Sequence, residues 1–174
     1  MNEALKNLLE RRSCRAYKDE QIKKEELDQI LEAGKYAPTG MGKQSPLIVV
    51  VQDKDKIAKI EKINAEIMGH TDMHTFYGAP TLIIVFEDAN IPFGVSDANL
   101  VIGNLLNAAH AVGVDSCYIW RAKETFETEA GKALKKEWNI SDNYVGAGNV
   151  ILGYGKPEGK KEAIARKEGY VIKV

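Results

Sequence analysis

Apolar positions recur along this chain at two periods, one helical and one extended, and the switches between them mark out the elements. Ala4, Leu5, Leu8 and Leu9 share one face of a short amphipathic helix over residues 3–10. Residues 24–36 carry Leu27, Ile30, Leu31 and Gly34 at the helical period and stop ahead of Pro38, whose ring disfavours a helical residue before it. Residues 37–46 hold two prolines and two glycines, which predicts an ordered loop. The aliphatic, largely β-branched run 47–51 predicts a strand buried on both faces. Ile57, Ile60, Ile63 or Asn64, and Ile67 stripe a helix over 55–68, whereas 69–78 shows no clean period and reads as a loop or broken turn. A second buried strand spans 81–86, entered through Pro80.

Residues 94–112 form a long helix that is apolar around most of its circumference and has to be covered on more than one side. So short a chain has little material to do that, which points to a partner subunit. A short strand follows at 116–120, a surface helix at 127–138, a strand at 146–154 and an extended, β-prone end at 169–174. No repeat and no linker interrupts the chain, so residues 1–174 read as a single domain. The element order predicts an α+β or three-layer α/β domain. A doubly wound dinucleotide fold fits less well. Its strand would have to precede the helices, and the glycines of 146–155 flank a strand and then meet Lys156-Pro157 instead of opening a helix.

Composition narrows the function classes. A chain of 174 residues buries a sizeable core without disulfides or a structural metal. Its 24 Lys and Arg against 25 Asp and Glu give no broad charge with which to grip nucleic acid or a membrane surface. Cys14 and Cys117 lie far apart and suit a reducing compartment. The N-terminus has no signal-peptide pattern, and no apolar run is long enough to span a bilayer. The expectation is a cytoplasmic enzyme or small binding module.

The densest chemistry is Arg11-Arg12-Ser13-Cys14-Arg15, where three guanidiniums and a hydroxyl can satisfy a phosphate or form a solvated basic turn. The same charges predict a depressed thiol pKa at Cys14. A second basic group, Lys156, Lys160, Lys161, Arg166 and Lys167, either converges with the first around an anionic head group or forms a charged tail. Trp120 and Arg121 pair an aromatic with a cation near a strand end, where they border a planar ligand or seal a core edge. His70 and His74 read as surface residues and Cys117 as core. No catalytic side chain and no metal cage emerges, so the chemistry either belongs to a cofactor or is absent, as in a binding module.

Taken in order, Arg11 to Tyr17, Ala37 to Pro46, Phe76-Tyr77-Gly78-Ala79-Pro80, Asp97-Ala98, Asn104 to His110, Gly113 to Cys117, Ile151-Leu152-Gly153-Tyr154 and Arg166-Lys167 resemble the nitroreductase family. Its members are homodimeric, FMN-dependent oxidoreductases that use NADH or NADPH. The resemblance implies a three-layer α+β fold, a central β-sheet flanked by helices, in an intertwined homodimer. It implies that Arg11 and Arg15 contact the FMN phosphate or ribityl end, with Arg12 and Ser13 beside them. Arg166 and Lys167 would close on the phosphate from the C-terminal side. Gln44 and its neighbour Lys43 would lie against the isoalloxazine, and Trp120 and Arg121 would offer backbone N–H groups to the flavin N5 edge. The implied reaction passes hydride from NAD(P)H through FMN to a nitroaromatic, quinone or similar small acceptor by a ping-pong scheme. A flavin storage or sensing protein without efficient turnover is the alternative, and a phosphate-ligand module without flavin a third. Gly42, where Asn is frequent, Ser45-Pro46, where Pro-Trp is common, and Trp120, where small or acidic residues occur, depart from the family pattern and bear on the acceptor.

Overall fold

Four strands make one antiparallel sheet in the order β1-β2-β4-β3, in a computed structural model that describes residues 1–174. The strands are β1 Leu47–Val51, β2 Thr81–Asp88, β3 Asp115–Ile119 and β4 Tyr144–Gly153. The helices are α1 Glu3–Glu10, α2 Lys24–Lys35, α3 Lys54–Ile67, α4 Gly94–Ala111, α5 Ala122–Glu127 and α6 Glu129–Glu137. Alternation along β2 sends Leu82, Ile84 and Phe86 to one face of the sheet and Ile83 and Val85 to the other. On the first face they meet Ile57 and Ile60 of α3, Phe126 of α5 and Leu134 of α6. On the second they meet Leu27 and Ile30 of α2 and Val101, Ile102 and Leu105 of α4. Two cores on one sheet give the three layers that the chain order predicts.

Several expectations are corrected. β1 is an edge strand and is only half-buried as far as Val50, because β2 and β4 occupy the middle of the sheet. The helix expected over 127–138 is α6, and a second, unexpected helix, α5, precedes it. Thr128 lies between them, its hydroxyl accepting from Gly131 N, and α5 is too short to carry a readable period. Residues 169–174 form no strand and stay exposed, since a β-prone sequence needs an edge to pair with.

Two helices keep apolar surface uncovered. No residue of α1 is buried, and Leu5, Leu8 and Leu9 stand open. On α4 the inward positions are covered while Val95 and Leu100 remain exposed. No helix is long and apolar enough to cross a membrane.

Candidate functional site

The basic segment after α1 is held by backbone pairing. Ser13 bridges Ser116, and Cys14 N donates to Ser116 O at 2.9 Å. Arg15 N donates to Gly159 O at 2.8 Å, Lys156 N to Ala16 O at 2.9 Å, and Lys18 N to Tyr154 O at 2.9 Å. The segment is thus sewn between the start of β3 and the chain that leaves β4. In an extended chain neighbouring side chains point to opposite sides. Cys14 therefore turns into the core while Arg15 turns out. The thiol donates to Ala16 O, and burial pushes its pKa up, which corrects the depressed value expected from its arginine neighbours. Cys117 is buried as expected. Its thiol donates to Tyr118 O at 3.5 Å, and burial raises its pKa against the opposing pull of Ser13, Arg15 and Arg11.

Arg15 lines a cleft of about 160 Å³ where the end of β3 meets the C-terminal half of α3 and residues 73–77. Asn64, Thr75, Tyr77, Cys117, Trp120 and Arg121 are among its other walls. Phe76 N donates to Glu61 at 2.6 Å, fixing the loop that carries Tyr77, whose φ is 53°. At the mouth, Arg121 adopts a left-handed φ of 71° and places its guanidinium 5.2 Å from the centroid of the exposed Trp120 indole. Gly146 makes this turn possible. A Cβ there would meet Ala122 C and O at 2.5 Å, so only glycine lets the start of α5 lie flat on β4. The N–H groups of Trp120 and Arg121 find no acceptor in the protein.

Arginine is used in a particular way. Seven ion pairs are made by lysines, His74 Nδ1 lies 3.6 Å from Glu61, and none of the arginines at 11, 12, 15, 121 and 166 takes part in such a pair. Arg12 turns back on its own helix end, donating to Leu9 O and Arg11 O at 2.8 Å each. That leaves the guanidiniums of Arg11 and Arg15 without a hydrogen-bond or ion-pair partner in the protein, Arg11 half-buried and Arg15 exposed.

The protomer keeps the other expected residues apart from the cleft. Lys43 and Gln44 follow a tight turn at Gly40–Gly42. Gly40 N donates to Asp97 Oδ1 of α4 at 3.0 Å, and Gln44 N to Thr39 Oγ1 at 3.1 Å. This loop is tied to α4, on the face of the sheet opposite α3. The C-terminal basic group divides. Lys160 closes on Asp115 at 3.0 Å, next to Cys14, whereas Arg166 and Lys167 stand exposed, the latter 5.7 Å from the Tyr170 ring. His70 and His74 are exposed in a non-helical stretch.

Sequence reasoning missed three polar residues around the cleft. Thr75 and Asn64 are buried in its wall, and Asn149 lies behind it in β4. Thr75 Oγ1 and both asparagine Oδ1 atoms lack partners. The signal was a polar residue interrupting an apolar stripe in α3 and an apolar run in β4.

A family model described as the nitroreductase family matches residues 8–154. The chain belongs to the nitroreductase family. An Archaeoglobus fulgidus protein named provisionally as an NADH dehydrogenase/NAD(P)H nitroreductase is 32% identical over 163 residues, which cover 91% of this chain and 88% of that one. The crystal structure of a nitroreductase with bound FMN from Bacteroides fragilis superposes with a TM-score of 0.92 at 29% identity, covering all of both chains. A nitroreductase with bound FMN from Desulfitobacterium hafniense gives 0.89 at 26% identity, covering 100% of this chain and 99% of that one.

Proposed function

We propose that the Arg15 cleft is half of an FMN site and that the protein is an oxidoreductase working through that cofactor. The observation that carries the reading is the meeting of unpaired Arg15 with the two free N–H groups of the Trp120–Arg121 turn. Cationic forks suit a phosphate, and free backbone donors beside an exposed indole suit the edge of a planar ring. The orphaned Asn64 Oδ1 and Thr75 Oγ1 add polar atoms to the wall.

The cleft in one protomer is smaller than the ~300–1,000 Å³ usual for cofactor pockets. The reading therefore includes a homodimer in which a second copy supplies the missing wall. The uncovered leucines of α1, exposed Val95 and Leu100, and a groove of about 660 Å³ between α1 and α4 support that. Lys43 and Gln44, kept from their own cleft, would serve the cleft of the second copy. Arg166 and Lys167 would reach the phosphate only from an ordered C-terminal segment.

Bound FMN supplies the redox chemistry, taking hydride from NADH or NADPH and returning it to a small oxidised acceptor such as a nitroaromatic or quinone. Arg11 and Arg15 hold the phosphate, and Ser13 adds a hydroxyl. Arg121 keeps the Trp120 indole at the mouth, where it limits what can stack there. The buried free thiols take no part and suit a reducing compartment, the cytoplasm.

The test is to add FMN to the purified protein and follow the visible flavin band, with gel filtration for the dimer. Anaerobic NADH or NADPH should bleach the band, and a nitroaromatic or quinone should restore it. A colourless monomer that ignores FMN overturns the reading. A flavoprotein that stays yellow with both nicotinamides is a storage or sensing protein instead.

A further inference from the structure

Two buried amides hold the Trp120–Arg121 peptide from the inside. Asn64 belongs to α3 and Asn149 to the middle of β4, and both are almost wholly removed from solvent. Each donates from Nδ2 to the same carbonyl, Trp120 O, at 2.9 Å from Asn64 and at a longer 3.4 Å from Asn149. Neither Oδ1 has a partner. Turning either amide round would set its oxygen against the carbonyl oxygen, so the orientation is forced. Two acceptors go unpaired in order that one carbonyl be held by two donors, which costs the fold stability.

What the arrangement secures is direction. The peptide is planar and trans. Holding the Trp120 carbonyl toward α3 and β4 therefore turns the Arg121 N–H the opposite way, to the open side of the turn. It also braces the left-handed φ at Arg121, a conformation that a side chain of that size resists. The N–H so presented has no acceptor in the protein, and the turn that carries it borders the same cleft as Arg15.

We propose that Asn64 and Asn149 are positioning residues for hydride transfer, holding the Trp120–Arg121 peptide so that its N–H faces the reacting edge of bound flavin. The inference rests on the FMN reading of the cleft. Asn64, with the shorter bond, carries more of the effect.

The test compares the FMN-loaded 174-residue protein with Asn64→Leu, Asn64→Ala and Asn149→Leu. Four quantities are read: FMN affinity by fluorescence titration, the limiting rate of anaerobic flavin reduction, the nicotinamide concentration that gives half that rate, and the NMR shift of the Arg121 amide on adding FMN. Loss of a preoriented donor should slow the limiting rate by about tenfold or more in the Asn64 variants, and by less in Asn149→Leu. FMN affinity should fall by a smaller factor than the rate and the half-saturating nicotinamide concentration should hold, while the Arg121 response shrinks. An unchanged rate and amide response in the Asn64 variants overturns the proposal, and so does a fall in rate that merely follows lost FMN. Should Asn149→Leu melt early in the central sheet, the two Asn64 variants decide the matter. Failure of the parent protein to take up FMN defeats the cofactor reading itself, and is told apart because it needs no variant.

Discussion

Arg15 and Arg166 are both arginines in basic stretches, one near each end of the chain, yet the fold treats the two stretches differently. Residues 13–18 are pinned by backbone bonds to Ser116, Tyr154 and Gly159, so Arg15 projects from a fixed frame onto the cleft. Backbone pairing on the other side stops near Lys160, and everything from residue 160 onward is exposed. Density of charge by itself therefore does not order a guanidinium. A guanidinium becomes useful when the backbone beneath it is ordered in advance, because the entropy of fixing it has already been met by folding.

The largest expected effect is on the pinned side. Replacing Arg11 and Arg15 together by Ala should weaken FMN binding by about a hundredfold or more, taking ~1.5–3 kcal/mol for each charge-assisted contact. Helical content by circular dichroism should hold, because neither guanidinium forms an ion pair in the protein. Full flavin occupancy in that variant would refute the phosphate assignment.

Next comes the frame itself. A Cβ on Gly159 would meet Ala16 O and Cys14 Sγ at 2.7 Å. Gly159→Ala should therefore cost about 1–3 kcal/mol of stability, read as a lower urea midpoint. Weaker FMN binding should accompany it.

The tail should respond in the opposite manner. Arg166→Ala with Lys167→Ala should leave the urea midpoint within about 0.5 kcal/mol of the parent, since both side chains are exposed. Its loss of FMN affinity should be smaller than that of the Arg11 and Arg15 pair. A larger loss would reverse the comparison and make the C-terminal segment the principal phosphate clamp.

The smallest effect is a pH dependence beside the pinned segment. The Tyr154 hydroxyl donates to Glu26, which lowers the carboxyl pKa below its ordinary value, and the Tyr154 carbonyl receives Lys18 N. A carboxylate whose folded pKa is depressed contributes stability that is fully present above its unfolded pKa. That contribution is lost as pH falls through the folded value. Denaturation midpoints should accordingly decline below the usual carboxylate range. Glu26→Gln should flatten that part of the decline, and an equal acid slope in the variant would remove Glu26 from the account.

Much of the architecture was legible in the chain because it rests on local periodicity. The stripes of α2, α3 and α4 and the runs of β1, β2 and β4 declare themselves within a few residues. So does α6, read as 127–138, but α5 does not, since six residues make less than two turns and Thr128 as a cap resembles any other threonine. Nor does the edge position of β1, which depends on the order in which strands pair. At the cleft, Arg15 was visible within a basic motif, and Trp120-Arg121 as an aromatic-cation pair. Cys14 misled because a sequence shows neighbours in line, while burial depends on which side of an extended segment each one faces.

By itself the sequence determined the layers, the family and the residue types that suit a phosphate, because patterns of hydrophobicity and short motifs act over one or two turns of chain. Only the tertiary structure decided that Arg15 shares a cleft with the Trp120–Arg121 turn, that Lys43 and Gln44 stand on the other face of the sheet, and that Asn64 and Asn149 meet on one carbonyl. Those facts join residues tens of positions apart. Such contacts arise from strand order and helix packing, which no single stretch of sequence contains.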